Sequence, residues 1–263
     1  MHNYEQLNRH FLPNLTSEEI GGLDREKSIV LLPLASIEQH GPHLPVYTDS
    51  LILHEVLARV SNSLPEDFPL WCLPILPYGK STEHSGFPGT ITLTSETLLV
   101  VLKEIAYSVS LSGFKRFVIL NTHGGNSELV DVAIRDIRAS TGLLVFGLHL
   151  FLRIAVPSYG LSTDEMTYGI HAGDVETSIL LKTCPGLVRL DKAPESIPEQ
   201  LKKLDAQPFL GPLNFAWLTR DIAKDGVLGN AKTAHPDRGE QYLAAAASET
   251  ADMLGRILEF SFD

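Results

Sequence analysis

Three short polar segments of this 263-residue chain are rich in side chains that bind transition metals. They span residues 38–49, 121–126 and 171–178. Their mixture of nitrogen and oxygen ligands suits Zn²⁺, Mn²⁺ or Fe²⁺ better than Ca²⁺ or Mg²⁺, which prefer oxygen-only shells. The ligands are numerous enough for two divalent ions, so the pattern indicates a metal-dependent hydrolase. The candidate ligands are Glu38, His40, Asp49, His123 and Glu176.

The first segment runs from the end of a predicted strand to the start of a predicted helix. Glu38 and His40 are two positions apart after a predicted strand, so in extended backbone both side chains face the same way. Asp49 lies near the first residue of the helix, where Thr48 or Asp49 is a plausible N-cap. A carboxylate there can cap the helix only, or can also bridge two ions. For His43 we favour supporting the ligands or contacting substrate over direct ligation.

The second segment is a polar turn between a strand and a helix. His123 is followed by Gly124 and Gly125, which let a ligand or an ion approach the backbone closely. A bare turn would explain a lone histidine, whereas the combination Asn-x-His-Gly-Gly-Asn favours a site. We expect Asn121 to orient the loop and Asn126 to cap the next helix.

The third segment pairs a histidine with an acid at a predicted helix start. Glu176 falls in the first turn, where an acid is favourable in any case. His171 precedes the helix, and an imidazole with an ordinary pKa of about 6.5 suits proton transfer, so it could carry a proton rather than bind metal. A fourth polar loop, 78–90, follows the second predicted strand. Its candidate substrate contacts are Ser81, Glu83 and His84.

The rest of the sequence predicts one α/β domain over residues 1–263. Apolar runs predict buried strands at 29–34, 70–76, 117–120 and 143–148. Helical patterns separate or follow them at 49–62, 94–113, 127–139, 174–183 and 239–260. This alternation predicts a mostly parallel sheet with helices on both faces, and ligands bind such sheets beyond the carboxyl ends of the strands. Residues 192–230 lack clear periodicity, which leaves a lid, an oligomer contact or an irregular excursion open.

Composition and missing motifs exclude several classes of protein. The net charge of −11 argues against partners with a nucleic-acid or anionic-membrane surface. Neither a signal peptide nor an apolar run of membrane-spanning length is present, so we predict a cytoplasmic protein. Cys72 and Cys184 are predicted to be reduced thiols. The sequence has no Gly-x-Ser-x-Gly elbow, phosphate loop, dinucleotide fingerprint or His-Glu-x-x-His helix.

Taken together, these segments resemble the creatininase (creatinine amidohydrolase) family. The matching segments are 34–41, 43–45, 48–49, 87–90, 121–126, 171–173 and 176–178. The resemblance implies a three-layer α/β/α sandwich with a two-metal site that hydrolyses a C–N bond of a cyclic or linear small-molecule amide through a metal-bound hydroxide. It also implies homo-oligomers, often hexamers built as trimers of dimers.

The resemblance further implies a role for each candidate residue. Asp49 would bridge two ions, with Zn²⁺ ahead of Mn²⁺ or Fe²⁺, and His171 would be the acid–base residue, joined by Glu176 as a catalytic group. The implied metal ligands are Glu38, His40, Asp49, His123 and Glu176.

Two departures from the creatinine-opening members bear on the substrate. Those members have Tyr-Glu where this chain has Gly124-Gly125, and Trp-Asp where it has Thr167-Tyr168. The Gly-Gly form resembles members that act on formamides of pyrimidine intermediates or that remove a terminal dipeptide in peptide-cofactor maturation. Gly124, Gly125 and Tyr168 are therefore further candidate substrate contacts.

Two other functions stay open at this point. A metal-dependent isomerase or lyase could use the same ligands, because a two-metal site can also stabilise an enediolate. A binding module with a structural metal is disfavoured, since structural zinc sites are closed and usually rich in cysteine.

Overall fold

The structure is a computed structural model that describes residues 9–150, 160–204, 213 and 215–262. Its main sheet has four strands in the order β2-β1-β3-β4, and every neighbouring pair is parallel. The two central strands, β1 and β3, are therefore neighbours. The strands are β1 (Ile29–Leu34), β2 (Leu70–Cys72), β3 (Arg116–Asn121) and β4 (Leu144–His149).

Side chains of β1 are buried on both faces of the sheet. Ile29 and Leu31 belong to one apolar core, whereas Val30, Leu32 and Leu34 belong to another. Because successive residues of a strand point to opposite faces, this division shows an apolar core above the sheet and a second core below it. Both cores are closed by helices.

Helices cover the two faces unequally. Those of the first face are α2, α6 and α9, which pack against one another over the core that contains Ile29. Those of the second face are α3 and α4, which close the core that contains Val30. The α/β/α layering predicted from the sequence is thus confirmed. The helices of the described residues are α1 (Ser17–Gly21), α2 (Thr48–Ser63), α3 (Ser95–Leu111), α4 (Ser127–Thr141), α5 (Thr163–Tyr168), α6 (Asp174–Thr183), α7 (Glu199–Leu204), α8 (Thr219–Ile222) and α9 (Pro236–Glu259).

Ion pairs join the three helices of the first face. Glu240 of α9 lies 2.6 Å from Arg59 of α2 and 3.4 Å from Lys182 of α6, measured between the charged atoms. Arg238, also on α9, lies 2.6 Å from the buried carboxylate of Asp174 at the start of α6. These contacts fix α2 and α6 side by side, which aligns their N-terminal ends.

The second strand is shorter than the apolar run predicts. The run reaches Leu76, but β2 ends at Cys72 and only an isolated bridge pairs Leu76 with Leu34. Pro74 explains the difference, because proline has no N–H to donate to a neighbouring strand. The chain is thereby released into the long polar loop that precedes α3.

Part of the segment 192–230 also has regular structure. Glu195–Ser196 (β5) and Gly229–Asn230 (β6) form a small antiparallel ribbon. Residues 205–212 and 214 lie outside the described part of the chain. Both cysteines are free thiols, as predicted. Among the described helices, none combines the length and the apolar character that crossing a bilayer requires.

Candidate metal centre

The polar segments meet at the carboxyl edge of the sheet, as predicted. Glu38 and His40 lie in the loop after β1, and His123 lies in the loop after β3, the adjacent strand. Asp49 is the second residue of α2, and Glu176 is the third residue of α6. Two strand ends and two helix starts therefore bring together residues that are far apart in sequence.

The candidate ligands form two groups that share one carboxylate. In the His40 group, His40 Nε2 lies 3.4 Å from Asp49 Oδ1 and 3.9 Å from Glu176 Oε2. In the His123 group, His123 Nδ1 lies 3.1 Å from Glu38 Oε1 and 3.6 Å from Asp49 Oδ2. Asp49 thus presents one oxygen to each group, which is the arrangement that a bridging carboxylate requires.

The donor atoms of these groups fit divalent cations. Within the described part of the chain, no hydrogen bond of good geometry reaches Glu38 Oε2, His40 Nε2 or Asp49 Oδ2, although all three residues are buried. A buried charged or polar atom without a partner is costly, and coordination of a cation removes that cost. Atoms of His40, Asp49 and Glu176 that could bind one ion all lie within 4.8 Å of one another.

Protons balance the carboxylates when no cation is bound. Burial lowers the pKa of His40, but the nearby carboxylates of Asp49 and Glu176 raise it to about 9. Burial likewise lowers the pKa of His123, and the carboxylate of Glu38 holds it well above its ordinary value. For Glu176, burial raises the pKa to about 7. Metal ions would displace protons from these groups.

His171 lies against the same cluster in a different protonation state. Its Nδ1 is 3.5 Å from Glu38 Oε1, and its ring centroid is 4.4 Å from that of His40. Burial and the neighbouring imidazoles of His84 and His40 hold the pKa of His171 well below its ordinary value, so the ring is neutral at pH 7. Nε2 lies 2.7 Å from the carbonyl oxygen of Gln39, which can only accept, so Nε2–H donates this hydrogen bond and Nδ1 is left as the acceptor.

The same geometry leaves direct ligation by His171 open. Possible ligand atoms of Glu38, His40 and His171 all lie within 4.8 Å of one another. The next residue, Ala172, has a φ of 53°, a left-handed conformation that is costly for a residue with a Cβ. Its N–H donates to Glu176 Oε2 at 2.5 Å. This strained turn fixes His171 relative to Glu176.

The fourth polar loop reaches the cluster, also as predicted. Ser81 Oγ and Glu83 Oε1 each lie 3.2 Å from His123 Nε2, and Ser81 also hydrogen-bonds to Ser36. His84 Nε2 lies 3.7 Å from Glu38 Oε1. All three predicted substrate contacts therefore touch candidate ligands through hydrogen bonds or charge.

The remaining predicted substrate contacts differ in position. Gly124 and Gly125 open a 3-10 turn that follows His123 directly. Tyr168 is the last residue of α5, and among the described residues it makes no hydrogen bond or ion pair with the cluster. The structure thus groups the two glycines, but not Tyr168, with the ligands.

Three predicted supporting roles have different outcomes. Asn121 orients the loop, because its side chain bonds to both the N–H and the C=O of His123. Asn126 is the N-cap residue of α4, as predicted, but its side chain makes no capping hydrogen bond. Its amide instead accepts from the N–H of Lys80 at 2.8 Å and donates to the C=O of Ala35 at 3.2 Å. His43 supports α6 through a 2.9 Å hydrogen bond to Thr177.

The predicted helix cap at Thr48 or Asp49 is wrong. The N-cap of α2 is Tyr47, and no side chain caps the helix. Thr48 instead donates its hydroxyl to the C=O of Pro45 at 2.6 Å. Asp49 lies two residues beyond that N-cap, and its carboxylate faces the cluster.

Several residues that the sequence did not single out contact the histidines of the site. Gln39 donates from Nε2 to the C=O of Gly226 at 2.8 Å and also lies 2.8 Å from His84 Nδ1. Thr219 Oγ1 is 3.0 Å from the same His84 nitrogen, and His171 pairs through its backbone with Leu228. The described residues 215–230 therefore pack over the site, a position compatible with the lid that was one of the three interpretations of segment 192–230.

Comparisons with known proteins agree with this geometry. The creatininase family, described as creatinine amidohydrolase, matches residues 13–254. A mycofactocin precursor peptide peptidase of Mycobacterium ulcerans (strain Agy99) is 33% identical over 233 residues, covering 86% of this chain and 84% of the relative. A creatinine amidohydrolase of Pseudomonas putida is 29% identical over 250 residues, covering 86% of this chain and 88% of the relative.

Solved structures match over nearly the whole chain. A crystal structure of creatinine amidohydrolase superposes with a TM-score of 0.74 at 26% identity, covering 96% of this chain and 99% of that one. Other matching creatininases include a manganese form and a mutant of Zn–Zn type.

Proposed function

The chain belongs to the creatininase family of amidohydrolases and is a hydrolase of C–N bonds. We propose that it hydrolyses its amide substrate at the cluster of two ligand groups that share Asp49. The observation that carries the proposal is the division of that carboxylate, with Oδ1 at 3.4 Å from His40 Nε2 and Oδ2 at 3.6 Å from His123 Nδ1. A carboxylate that only interacted with the start of a helix would not need to lie between two buried imidazoles.

The two groups would each hold one divalent ion. His40 and Glu176 would bind one ion, Glu38 and His123 would bind the other, and Asp49 would bind both. Imidazole and carboxylate ligands favour Zn²⁺, with Mn²⁺ or Fe²⁺ as alternatives. When bound, such ions polarise a carbonyl group and lower the pKa of a water molecule towards neutrality.

His171 is the proposed proton carrier. Its Nε2–H is fixed by the carbonyl oxygen of Gln39, and its free Nδ1 faces the cluster 3.5 Å from Glu38. A neutral imidazole in this tautomer takes a proton at Nδ1 from the attacking water and returns it to the leaving nitrogen. Glu176, which we propose as ligand and catalytic residue, is held by the N–H of Ala172.

A linear amide is the substrate class that we propose ahead of creatinine. Gly125 brings no side chain to the place where creatinine-opening members have a glutamate. The identity to the mycofactocin precursor peptidase is also higher than that to the creatinine amidohydrolase. A formamide or the end of a modified peptide fits this class. Product analysis separates hydrolysis from an isomerase or lyase reaction, because hydrolysis consumes water and releases an amine or an acid.

The cellular setting stays a prediction. We expect a cytoplasmic homo-oligomer, a hexamer built as a trimer of dimers, that acts on a small molecule without nucleic-acid or membrane partners.

Metal analysis combined with an amide panel tests the proposal. The panel holds creatinine, formamides and peptides with modified ends. We expect the protein to bind two ions and to hydrolyse a linear amide, and we expect His123→Ala and Glu38→Ala to lose most activity and bound metal. The matched control is His235→Ala, because His235 is an exposed histidine. A His123→Ala variant with full metal content and full turnover would refute the assignment.

A further inference from the structure

The two ring nitrogens of His123 face different surroundings. Nδ1 points to the carboxylates of Glu38 and Asp49. Nε2 points the other way, 3.0 Å from the C=O of Lys80, 3.2 Å from Glu83 Oε1 and 3.2 Å from Ser81 Oγ. A carbonyl and a carboxylate can only accept hydrogen bonds, so Nε2 carries a proton. That proton is what frees the Nδ1 lone pair for a cation once Nδ1 itself is deprotonated.

Glu83 is the charged residue among the three groups that surround His123 Nε2. It lies in a one-turn 3-10 helix, Thr82–His84, in the loop after β2, and its side chain is only 13% exposed. Its other oxygen, Oε2, is 3.7 Å from the Nζ of Lys80. The carboxylate is thereby held between an imidazole and an ammonium group, and it comes from a loop that supplies none of the five proposed ligands.

The glycine after Gly124 makes room for this carboxylate. A Cβ built on Gly125 would overlap Glu83 Oε1 and would lie 2.6 Å from His123 Nε2. Any side chain at position 125 therefore excludes Glu83 from its present place. A side chain at position 125 and the carboxylate of Glu83 thus compete for the same space beside the loop histidine.

We propose that Glu83 is a positioning residue that accepts a hydrogen bond from His123 Nε2–H and so directs the Nδ1 lone pair towards an ion between Glu38 and Asp49. Gly125, which has no side chain, leaves the space that the Glu83 carboxylate occupies. This inference rests on the proposed function, because it assumes that an ion binds between Glu38, Asp49 and His123. Carboxylates that hold the far nitrogen of a ligand histidine typically change metal affinity by about 10–100-fold.

Two substitutions of Glu83 separate positioning from other roles. Glu83→Leu removes the acceptor, whereas Glu83→Gln keeps a carbonyl oxygen in the same place without the charge. We expect Glu83→Leu to bind one ion as the parent does and the second about 10–100-fold more weakly, as measured by equilibrium dialysis against Zn²⁺. Glu83→Gln should restore most of that affinity. The matched control is Glu104→Leu, an exposed glutamate of α3.

A third variant reaches the same contact from the other side. Gly125→Ala should displace Glu83 and weaken the same ion, and its methyl would also lie 2.6 Å from His123 Nε2 and 2.8 Å from the C=O of Lys80. Parental affinity in this variant would therefore contradict the inference even if Glu83→Leu does not fold. Absorption spectra of the Co²⁺-substituted proteins should change in both variants, because the orientation of one imidazole ligand changes.

The outcomes distinguish this inference from the function on which it rests. Two ions bound at parental affinity in Glu83→Leu and in Gly125→Ala would overturn the inference alone. Glu83→Gln that binds as poorly as Glu83→Leu would also overturn it, because charge or direct ligation would then be what matters. A parent protein that binds no metal would remove the proposed function together with this inference.

Discussion

The two faces of the sheet use the same kind of residue in opposite ways. Asp49 and Glu176 stand in the first turns of α2 and α6 on one face, whereas Glu96 and Glu128 stand in the first turns of α3 and α4 on the other. Asp49 is 2% exposed and Glu176 is largely buried, but the two acids of the other face are exposed. An acid at a helix start is favourable everywhere, so only its surroundings turn it into a ligand.

The surroundings differ because of what each helix start faces. The starts of α2 and α6 face the loops after β1 and β3. His40 lies within 4 Å of both carboxylates, and His123 lies within 4 Å of Asp49. No imidazole is paired with Glu96 or Glu128 among the described residues. Whether a first-turn acid can bind a metal therefore depends on the side chains that other elements bring to it, and not on its place in the helix.

The largest expected effect breaks the comparison at Asp49. Asp49→Ala should lower turnover by roughly 1,000-fold or more, because bound ions supply several kcal/mol of transition-state stabilisation. Metal content should fall with it. Steady-state kinetics and metal analysis check both, with Glu128→Ala as the matched loss of a first-turn acid. Equal losses in the two variants would show that the faces do not differ as described.

A pH titration gives the next largest effect. The pKa of His40 is raised to about 9, so its contribution to stability is complete below the unfolded pKa of about 6.5 and is lost as the pH rises through 9. The raised pKa of His123 acts in the same direction. Glu38 and His171, whose pKa values are held low, do not titrate above pH 7. Glu176, whose pKa is raised to about 7, loses its remaining proton just above pH 7, and this also lowers the stability as the pH rises. The metal-free protein should therefore lose at least about 2 kcal/mol of unfolding free energy between pH 7 and 9.

Urea unfolding with and without a chelator measures this loss. In the metal-loaded protein the fall should be absent, because the ligand nitrogens carry no proton that alkali could remove. A fall of the same size in the loaded protein would place its source outside the cluster.

The smallest expected effect lies on the other face. Glu128→Gln should change the unfolding free energy by about 0.3–1 kcal/mol at low ionic strength, since Glu128 forms no ion pair among the described residues and its charge acts on the positive end of α4. Added salt should reduce this difference, whereas activity and metal content should stay at the parental level. Loss of metal in Glu128→Gln would mean that the second face also serves the site.

Much of this arrangement follows from the sequence, and the exceptions have physical causes. Apolar runs predict β1 and β3, and the polar loops after them contain Glu38, His40 and His123 as expected. The predicted cap at Thr48 or Asp49 is wrong, because the same residue types suit a cap and a ligand, and Asp49 lies two residues beyond the N-cap Tyr47. Local preference cannot decide between the two roles.

Long-range contacts account for the other omissions. Gln39 lies between two predicted ligands, and nothing local shows that its amide meets His84 and the C=O of Gly226. Thr219 is likewise an ordinary residue until the fold brings it to His84. Such partners are set by how the chain returns to the sheet. The roles of the ligands, the single domain and the oligomer stay predictions.

The large separation in sequence between Glu38 and Glu176 links metal binding to the stability of the folded protein. Loops from separate parts of the chain meet only after β1 has paired with β3 and after α2 has packed against α6. An ion that needs all of these donors binds the native chain and not the unfolded one, so it draws the population towards the folded form by mass action. Starvation for trace metals would then reduce how much of this protein survives as well as how fast it works.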